Sequence, residues 1–366
     1  MTAFSELTTT RVGGEARELV HATTVEQLTS AAHDVWDDGE NWLVVGGGSN
    51  LIVSDDGFEG TAILVRTSGI ERIGVEGDDV ILRVQAGESW DGFVAQTVAA
   101  GLGGVEALSG IPGSVGAAPV QNIGAYGQEL SDTLVAIDFL DYLTGETTRI
   151  PAADLGLGYR MSAMKQGRRG IVLAVEVRLK RGGLSAPIAY AQLARELGAE
   201  AGDTRPVAAV REAVLRLRAS KGMVLSESDP DSVSTGSFFT NPIVSARFAA
   251  TLPADAPRWS LEPEAADTVI PLDRPDLLQQ LKPATPTDAR VKLSAAWMIE
   301  RSGITRGFAL PGSRAAISTK HTLAIVNTGG ATAVEIAELG RYVQTRVMGE
   351  FGVLLQPEPV LVGLSL

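Results

Sequence analysis

Two spacings of apolar residues alternate along most of this chain. TVEQLTSAAHDV (24–35) carries the spacing of a short helix. WLVVGGGSNLIV (42–53) reads as strand, glycine turn, strand, and TAILVR and DVILRVQAG continue the β pattern. FVAQTVAAGLGG (93–104) predicts a helix stopped by glycines. VAIDFLDYLTGETTRI (135–150) alternates around a Thr-Gly turn, as a hairpin does, and GIVLAVEVRLKRGG (170–183) predicts a strand closed by glycines. Val207, Val210, Val214 and Leu217 recur at spacings of 3, 4 and 3, which predicts a helix over 207–219. LSAAWMIER (293–301) predicts a further helix. Ile336, Leu339, Val343, Val347 and Phe351 mark one face of a long one, and LLQPEPVLVGL a final strand. The pattern fails over 245–290, a Pro-rich and acidic stretch expected to be an exposed insertion. The fold class is therefore a mixture of α and β, with a boundary near Lys221.

At 366 residues the chain exceeds one compact core. Its 45% hydrophobic and 20% charged residues are those of a soluble globular protein. A net charge of −13 argues against nucleic acid as a partner, because phosphate backbones are held by clustered cations. It leaves room for a small anionic ligand held by a few cations or backbone N–H groups. There are no cysteines, so disulfides, thiolate metal sites and cysteine nucleophiles are excluded. His21, His33 and His321 show no metal-ligand spacing, and no metal is expected. The N-terminal residues lack the apolar core of a signal peptide. The uncharged run Ala107–Gln128 contains Pro112, Pro119 and five glycines, which makes it a poor membrane helix.

That run and GGGSNL (46–51) are the first candidates for chemistry. Gly46, Gly47 and Gly48 free the backbone to aim N–H groups at one anionic point, while Ser49 and Asn50 add side-chain donors. A tight β-turn is the competing reading. The second loop, SGIPGSVGAAPVQNIGAYG (109–127), permits close approach of a large planar or phosphorylated ligand, with Gln121 and Asn122 able to bond polar edges. Two such loops point to a sizeable nucleotide cofactor. Neither is a Walker motif or a Rossmann fingerprint. SAMK (162–165) fits the Ser-x-x-Lys of acyl-transferring enzymes, and a serine hydrolase using Ser162 and Lys165 stands as a competitor, although its companion motifs are missing. In STGSFFTNP (234–242), Ser237 stands between a glycine and two phenylalanines, which suits either a packed turn or a hydroxyl kept out of water.

GGGSNLIV, IPGSVGAAPVQNIGAYGQEL, LGYRMSAMK, TGSFFTNP and LLQPEPVLVG, in this order and at these separations, resemble the UDP-N-acetylenolpyruvoylglucosamine reductase family, over nearly the whole chain. The resemblance implies an α+β fold of the vanillyl-alcohol-oxidase-like, PCMH-type FAD-binding class with an α+β substrate domain. It implies a flavin domain over 1–221 (subdomains 1–65 and 66–221), a substrate domain over 222–355, and a strand over 356–366 returning to the core. The implied reaction takes hydride from NADPH through FAD to an enolpyruvyl ether, giving UDP-N-acetylmuramate for peptidoglycan. Without cysteine, or histidine in the glycine loops, the FAD is expected to be non-covalent. Another FAD-dependent oxidoreductase on the same scaffold is a second competitor.

The resemblance carries roles onto particular residues. Ser237 would deliver the proton that follows hydride. Arg160 would face the carboxylate that gains charge. Glu358, fixed between Pro357 and Pro359, would work protonated or by polarising a neighbour. Gly46, Gly47, Gly48, Ser49, Asn50 and Leu51 would contact the cofactor. So would Ile111, Pro112, Gly113, Gly116, Ala117, Asn122, Gly124, Ala125, Tyr126, Gly127 and Arg218. Tyr190, Lys221, Asn241 and Tyr126 would contact substrate, Tyr190 as the closing tyrosine of one branch of the family. Gln356 departs from the family pattern, which commonly has an acidic residue there. The expected partners are small molecules only, with no nucleic acid and no membrane, and the expected state is a cytoplasmic monomer.

Overall fold

The computed structural model describes residues 2–261 and 289–366. The first sheet is parallel and three-stranded, ordered Ala16–Ala22, Phe58–Val65, Trp42–Val45. Its cover is the helix Val25–Asp37, whose first turn is capped by the Thr24 hydroxyl accepting from the Gln27 N–H. Leu28 and Ala32 of that helix pack on Ile63 and Val65. The second sheet is antiparallel, ordered Thr147–Pro151, Leu134–Asp141, Gly170–Lys180, Asp79–Gln85, Ile70–Glu76. Gly170–Lys180 lies at its centre and is buried on both faces, hence its continuous apolar run. The helix Trp90–Ala99 seals one face through Trp90, Phe93 and Val94.

The C-terminal third has its own core. Ala333–Phe351 buries Ile336, Leu339, Val343 and Val347 against Met298 and Ile299 of the helix Ala295–Arg301 and against Phe238 and Phe239. Asp55, from the N-terminal part, accepts from the Ala333 and Val334 N–H groups at 2.9 and 3.1 Å and so caps that helix from outside. The strand Val360–Val362 runs back to pair in parallel with Leu51–Val53, directly after the first glycine loop.

Two expectations are corrected. Residues 246–260 are exposed for the most part, as expected, but not detached from the C-terminal core: Ala249, Leu252 and Ala256 are buried in it, and Arg258–Ser260 joins a small sheet with Arg290–Leu293 and Ile243–Ser245. The rest of that predicted segment, 262–288, lies outside the described residues. The final strand is only three residues long, because Pro357 and Pro359 cannot donate to a ladder. Among the described residues, no helix is long and apolar enough to cross a membrane.

Candidate active site

The two glycine loops face each other. A Cβ on Gly47 would lie 2.6 Å from Gly113 Cα, and Ser49 Oγ donates to the Pro112 carbonyl at 3.0 Å. Gly48 has φ +62 with the Leu7 carbonyl 1.9 Å from where a Cβ would stand, so only glycine fits there. The loops form one wall of a cavity of about 800 Å³, toward the upper end of the roughly 300–1,000 Å³ usual for small-molecule sites. Thr9 links this wall to the opposite one: its N–H donates to the Gly48 carbonyl and its hydroxyl to the Ser234 carbonyl, at 3.2 and 2.7 Å.

Ser237 lies on that opposite wall, lining the cavity. Phe238 and Phe239 behind it are buried, edge to face at 4.9 Å, and anchor the segment in the C-terminal core. The Phe238 carbonyl accepts from the Glu358 N–H at 2.9 Å, which places the carboxylate next to the serine segment. Glu358 Oε1 lies 3.0 Å from Arg160 Nε and accepts from Gln121 Nε2 at 3.3 Å. The Arg160 pair is electrostatic, since its Nε–H lacks the alignment of a hydrogen bond. Asn50 Nδ2 reaches both Gln121 Oε1 and the Glu358 carbonyl. Burial pushes the Glu358 carboxyl above its ordinary value, against the pull of Arg160 and Lys165. Arg160 itself has φ +52 and donates from Nη2 to the Gly124 carbonyl at 2.9 Å. Asn122 and Tyr126 are also left-handed, so three strained backbone positions gather here.

The other end of the cleft is cationic and aromatic. Tyr126 and Tyr190 meet edge to face at 5.6 Å, and Lys221 Nζ lies 5.5 Å from the Tyr126 ring centre. Lys221 also donates to Gln192 at 3.0 Å. Arg218 is buried, and burial pushes its guanidinium down to about 10. Its Nε has no partner, nor does the Thr235 hydroxyl nearby on the wall. A buried cation with an unused donor fits an anionic ligand.

Of the predicted residues, Gly46 to Leu51, Ile111 to Gly113, Ala117, Gly124 to Tyr126, Arg160, Tyr190, Arg218, Lys221, Ser237 and Glu358 line this one cavity. Gly116, Asn122, Gly127 and Asn241 do not. A Cβ on Gly116 would meet the Ala86 Cβ at 2.5 Å, so this glycine serves loop packing. Asn122 is wholly buried, and its amide is consumed by Glu129, Ser131 and the Gly158 carbonyl. Gly127 backs the Tyr190 loop, and Asn241 Oδ1 accepts from the Ala295 N–H. Ser162, the competing nucleophile, is fully buried with its hydroxyl donating to the Val120 carbonyl, which removes it from acyl chemistry. Sequence reasoning missed His321, whose Nε2 lies 3.4 Å from Ser237 Oγ.

Two family models match the chain: an FAD binding domain over 16–151, and the C-terminal domain of UDP-N-acetylenolpyruvoylglucosamine reductase over 229–362. The UDP-N-acetylenolpyruvoylglucosamine reductase of Leifsonia xyli subsp. xyli is 56% identical, over 100% of this chain and 99% of the relative. The chain belongs to the UDP-N-acetylenolpyruvoylglucosamine reductase family. The reductase of Salinispora arenicola is 46% identical over 99% of this chain and 95% of its own. A crystal structure of the Thermus caldophilus reductase superposes with a TM-score of 0.62 at 25% identity, covering 99% of this chain and 97% of that one. These matches agree with the α+β flavin-domain architecture.

Proposed function

We infer that the family's reaction, FAD-dependent reduction of UDP-N-acetylglucosamine enolpyruvate to UDP-N-acetylmuramate, runs in this cleft with Ser237 as proton donor. The carrying observation is that Ser237, Arg160 and Glu358, distant in sequence, line one cavity with both glycine loops. The cavity, its glycine walls and the unused donor of Arg218 fit FAD bound through Gly46–Leu51 and the 111–126 loop. When bound, FAD supplies hydride transfer from NADPH to the terminal vinyl carbon of the substrate.

Hydride addition leaves negative charge on the carbon bearing the carboxylate, spread into that group. Arg160 offsets this charge, and Gly124 and Glu358 hold its guanidinium in place. Ser237 then gives its proton to that carbon; an alcohol is a sufficient acid against an enolate when water is excluded, as the buried Phe pair assists. Burial raises the Glu358 carboxyl, against the pull of Arg160 and Lys165, which eases proton uptake there as charge develops on the substrate beside it. Lys221 and Tyr190 would hold the UDP phosphates and close over them, in keeping with the tyrosine-loop branch.

The division of labour we propose is flavin binding by 1–221, in lobes 1–65 and 66–221, and substrate binding by 222–355. The 356–366 segment would deliver Glu358. The separate parallel and antiparallel sheets support the two lobes. We take the enzyme to act as a cytoplasmic monomer, which size-exclusion chromatography checks.

An anaerobic titration tests the reaction. NADPH should bleach the flavin band, and only the enol ether should restore it. Bleaching without recovery would keep the flavin site and discard the substrate.

A further inference from the structure

His321 Nε2 lies 3.4 Å from Ser237 Oγ, yet it takes no part in the steps carried by Ser237, Arg160 and Glu358. Its position is built rather than incidental. It sits in the turn between the paired strands Ala315–Ile317 and Ile325–Asn327, where Ser318 Oγ accepts from its N–H at 3.1 Å and its carbonyl accepts from Ala324 at 3.0 Å. The serine segment is bonded along the same turn: Phe238 N–H donates to the Leu323 carbonyl at 2.7 Å, and Asn327 N–H to the Val233 carbonyl at 3.0 Å. Asp231 clasps the turn from below, taking the Thr319 N–H and hydroxyl, both at 2.7 Å. These bonds fix the backbones of the turn and of the serine segment against each other, so His321 and Ser237 face across a built junction with Nε2 and Oγ 3.4 Å apart before any ligand binds.

The protonation state follows from the surroundings. Burial first, then Lys221, Arg306 and Arg218, push the His321 imidazole down to about 4, with Glu300 opposing. It is neutral at neutral pH, with one ring nitrogen a donor and the other an acceptor. If Nε2 accepted from Ser237, the hydroxyl proton would be turned away from the cleft. With Nε2–H as donor, the hydroxyl proton is free to face the substrate.

We propose that His321 is a positioning residue for the proton transfer: its Nε2–H donates to Ser237 Oγ, turns the hydroxyl proton into the cleft, and holds the alkoxide left behind. The inference rests on Ser237 being the proton donor. In the step, a C–H bond forms at the substrate carbon from its carbanionic electron pair while the Ser237 O–H bond breaks. The electron pair of that bond stays on Oγ under the imidazole N–H, and solvent water reprotonates the alkoxide as product leaves.

The test is stopped-flow measurement of both half-reactions in the flavin-loaded enzyme. His321→Leu should leave flavin reduction by NADPH unchanged and slow reoxidation by the enol ether about 10- to 100-fold, the value of a hydrogen bond to a charged group. His321→Gln, whose amide reaches the Nε2 position, should recover most of that loss, and His321→Asn, which stops short, should not. In a Ser237→Ala background, His321→Leu should cost less than about twofold, because a residue acting through Ser237 has nothing left to act on. Should His321→Leu fail to retain flavin, the Gln and Asn pair decides. Reoxidation at the wild-type rate in His321→Leu, equal losses in Gln and Asn, or a full loss in the Ser237→Ala background would overturn the proposal. Ser237→Ala reoxidising at the wild-type rate would instead remove the reading beneath it.

Discussion

Replacing Arg218 by methionine should stabilise the ligand-free protein while weakening what the cleft holds. Arg218 is 8% exposed, and burial lowers its guanidinium well below the ordinary arginine range, to about 10. At about 1.36 kcal/mol per pH unit, the charged native state carries a cost of about 3 kcal/mol. The folded value lies below the unfolded one, so this cost is present in full below about pH 10 and fades as pH rises from there toward the unfolded value. Methionine fills the stem without the charge but leaves the Met223 carbonyl without its 2.9 Å donor, a loss of about 1–2 kcal/mol. The net gain is roughly 1–2 kcal/mol, or about 2–4 °C in melting temperature. The wild-type charge recovers its cost only when an anion takes the unused Nε donor. The stabilisation conferred by saturating FAD and UDP-N-acetylmuramate together should therefore shrink by about 2 kcal/mol in the variant. Thermal unfolding of flavin-free protein, with and without both ligands, measures the two effects. An apoprotein melting several degrees below wild type, with ligand stabilisation intact, would refute the reasoning.

Ser237→Ala should keep flavin reduction by NADPH and lose on the order of 10² to 10⁴ in reoxidation by the enol ether, read by stopped-flow absorbance. Gly47→Ala should purify nearly colourless, because its methyl would sit 2.6 Å from Gly113 Cα and force the two loops apart; the flavin-to-protein absorbance ratio reports it. Glu358 has a folded value above its unfolded one, so the stability it contributes is complete below the unfolded value and lost as pH rises through the folded value. Glu358→Gln should accordingly gain on wild type in denaturant midpoint at pH 7.5, with the difference closing toward pH 4. Asp55→Ala leaves two N–H groups at the start of Ala333–Phe351 without acceptors and should cost about 1–2 kcal/mol, seen as a lower midpoint at unchanged slope.

Long periodic elements were legible in the sequence because burial on one face leaves a repeating mark. The helix 207–219 and the core of the strand 170–183 emerge where the spacing put them. Short or exposed elements left no such mark. Ile70–Glu76 is a largely exposed edge strand, and Ala315–Ile317 and Ile325–Asn327 are three residues each, too short to show a period. Prolines hid the buried spacing of Ala249, Leu252 and Ala256. At the site, glycine clusters announced backbone close approach, and the cavity is lined by them. Ser237 showed only an ambiguous local signal, a hydroxyl between a glycine and two phenylalanines, Arg160 and Glu358 showed less, and resemblance gave all three their roles. Asn122 looked like a ligand donor because an amide in a glycine loop reads that way, yet its amide is spent stabilising its own left-handed turn. His321 was invisible because its partner lies 84 residues away.

The pairing of Val360–Val362 with Leu51–Val53 has a consequence for biosynthesis. Asn50 and Glu358 are bonded across 308 residues, so the glycine loop emerges from the ribosome long before the strand that completes its sheet. Until then the nascent chain holds an unpaired strand edge beside the cofactor loop. A chain cut short before residue 358 would present both glycine loops but lack the carboxylate facing Arg160. Assembly of the site is thereby coupled to synthesis of residues 358–362, and chains stopped before them carry no finished catalytic cleft.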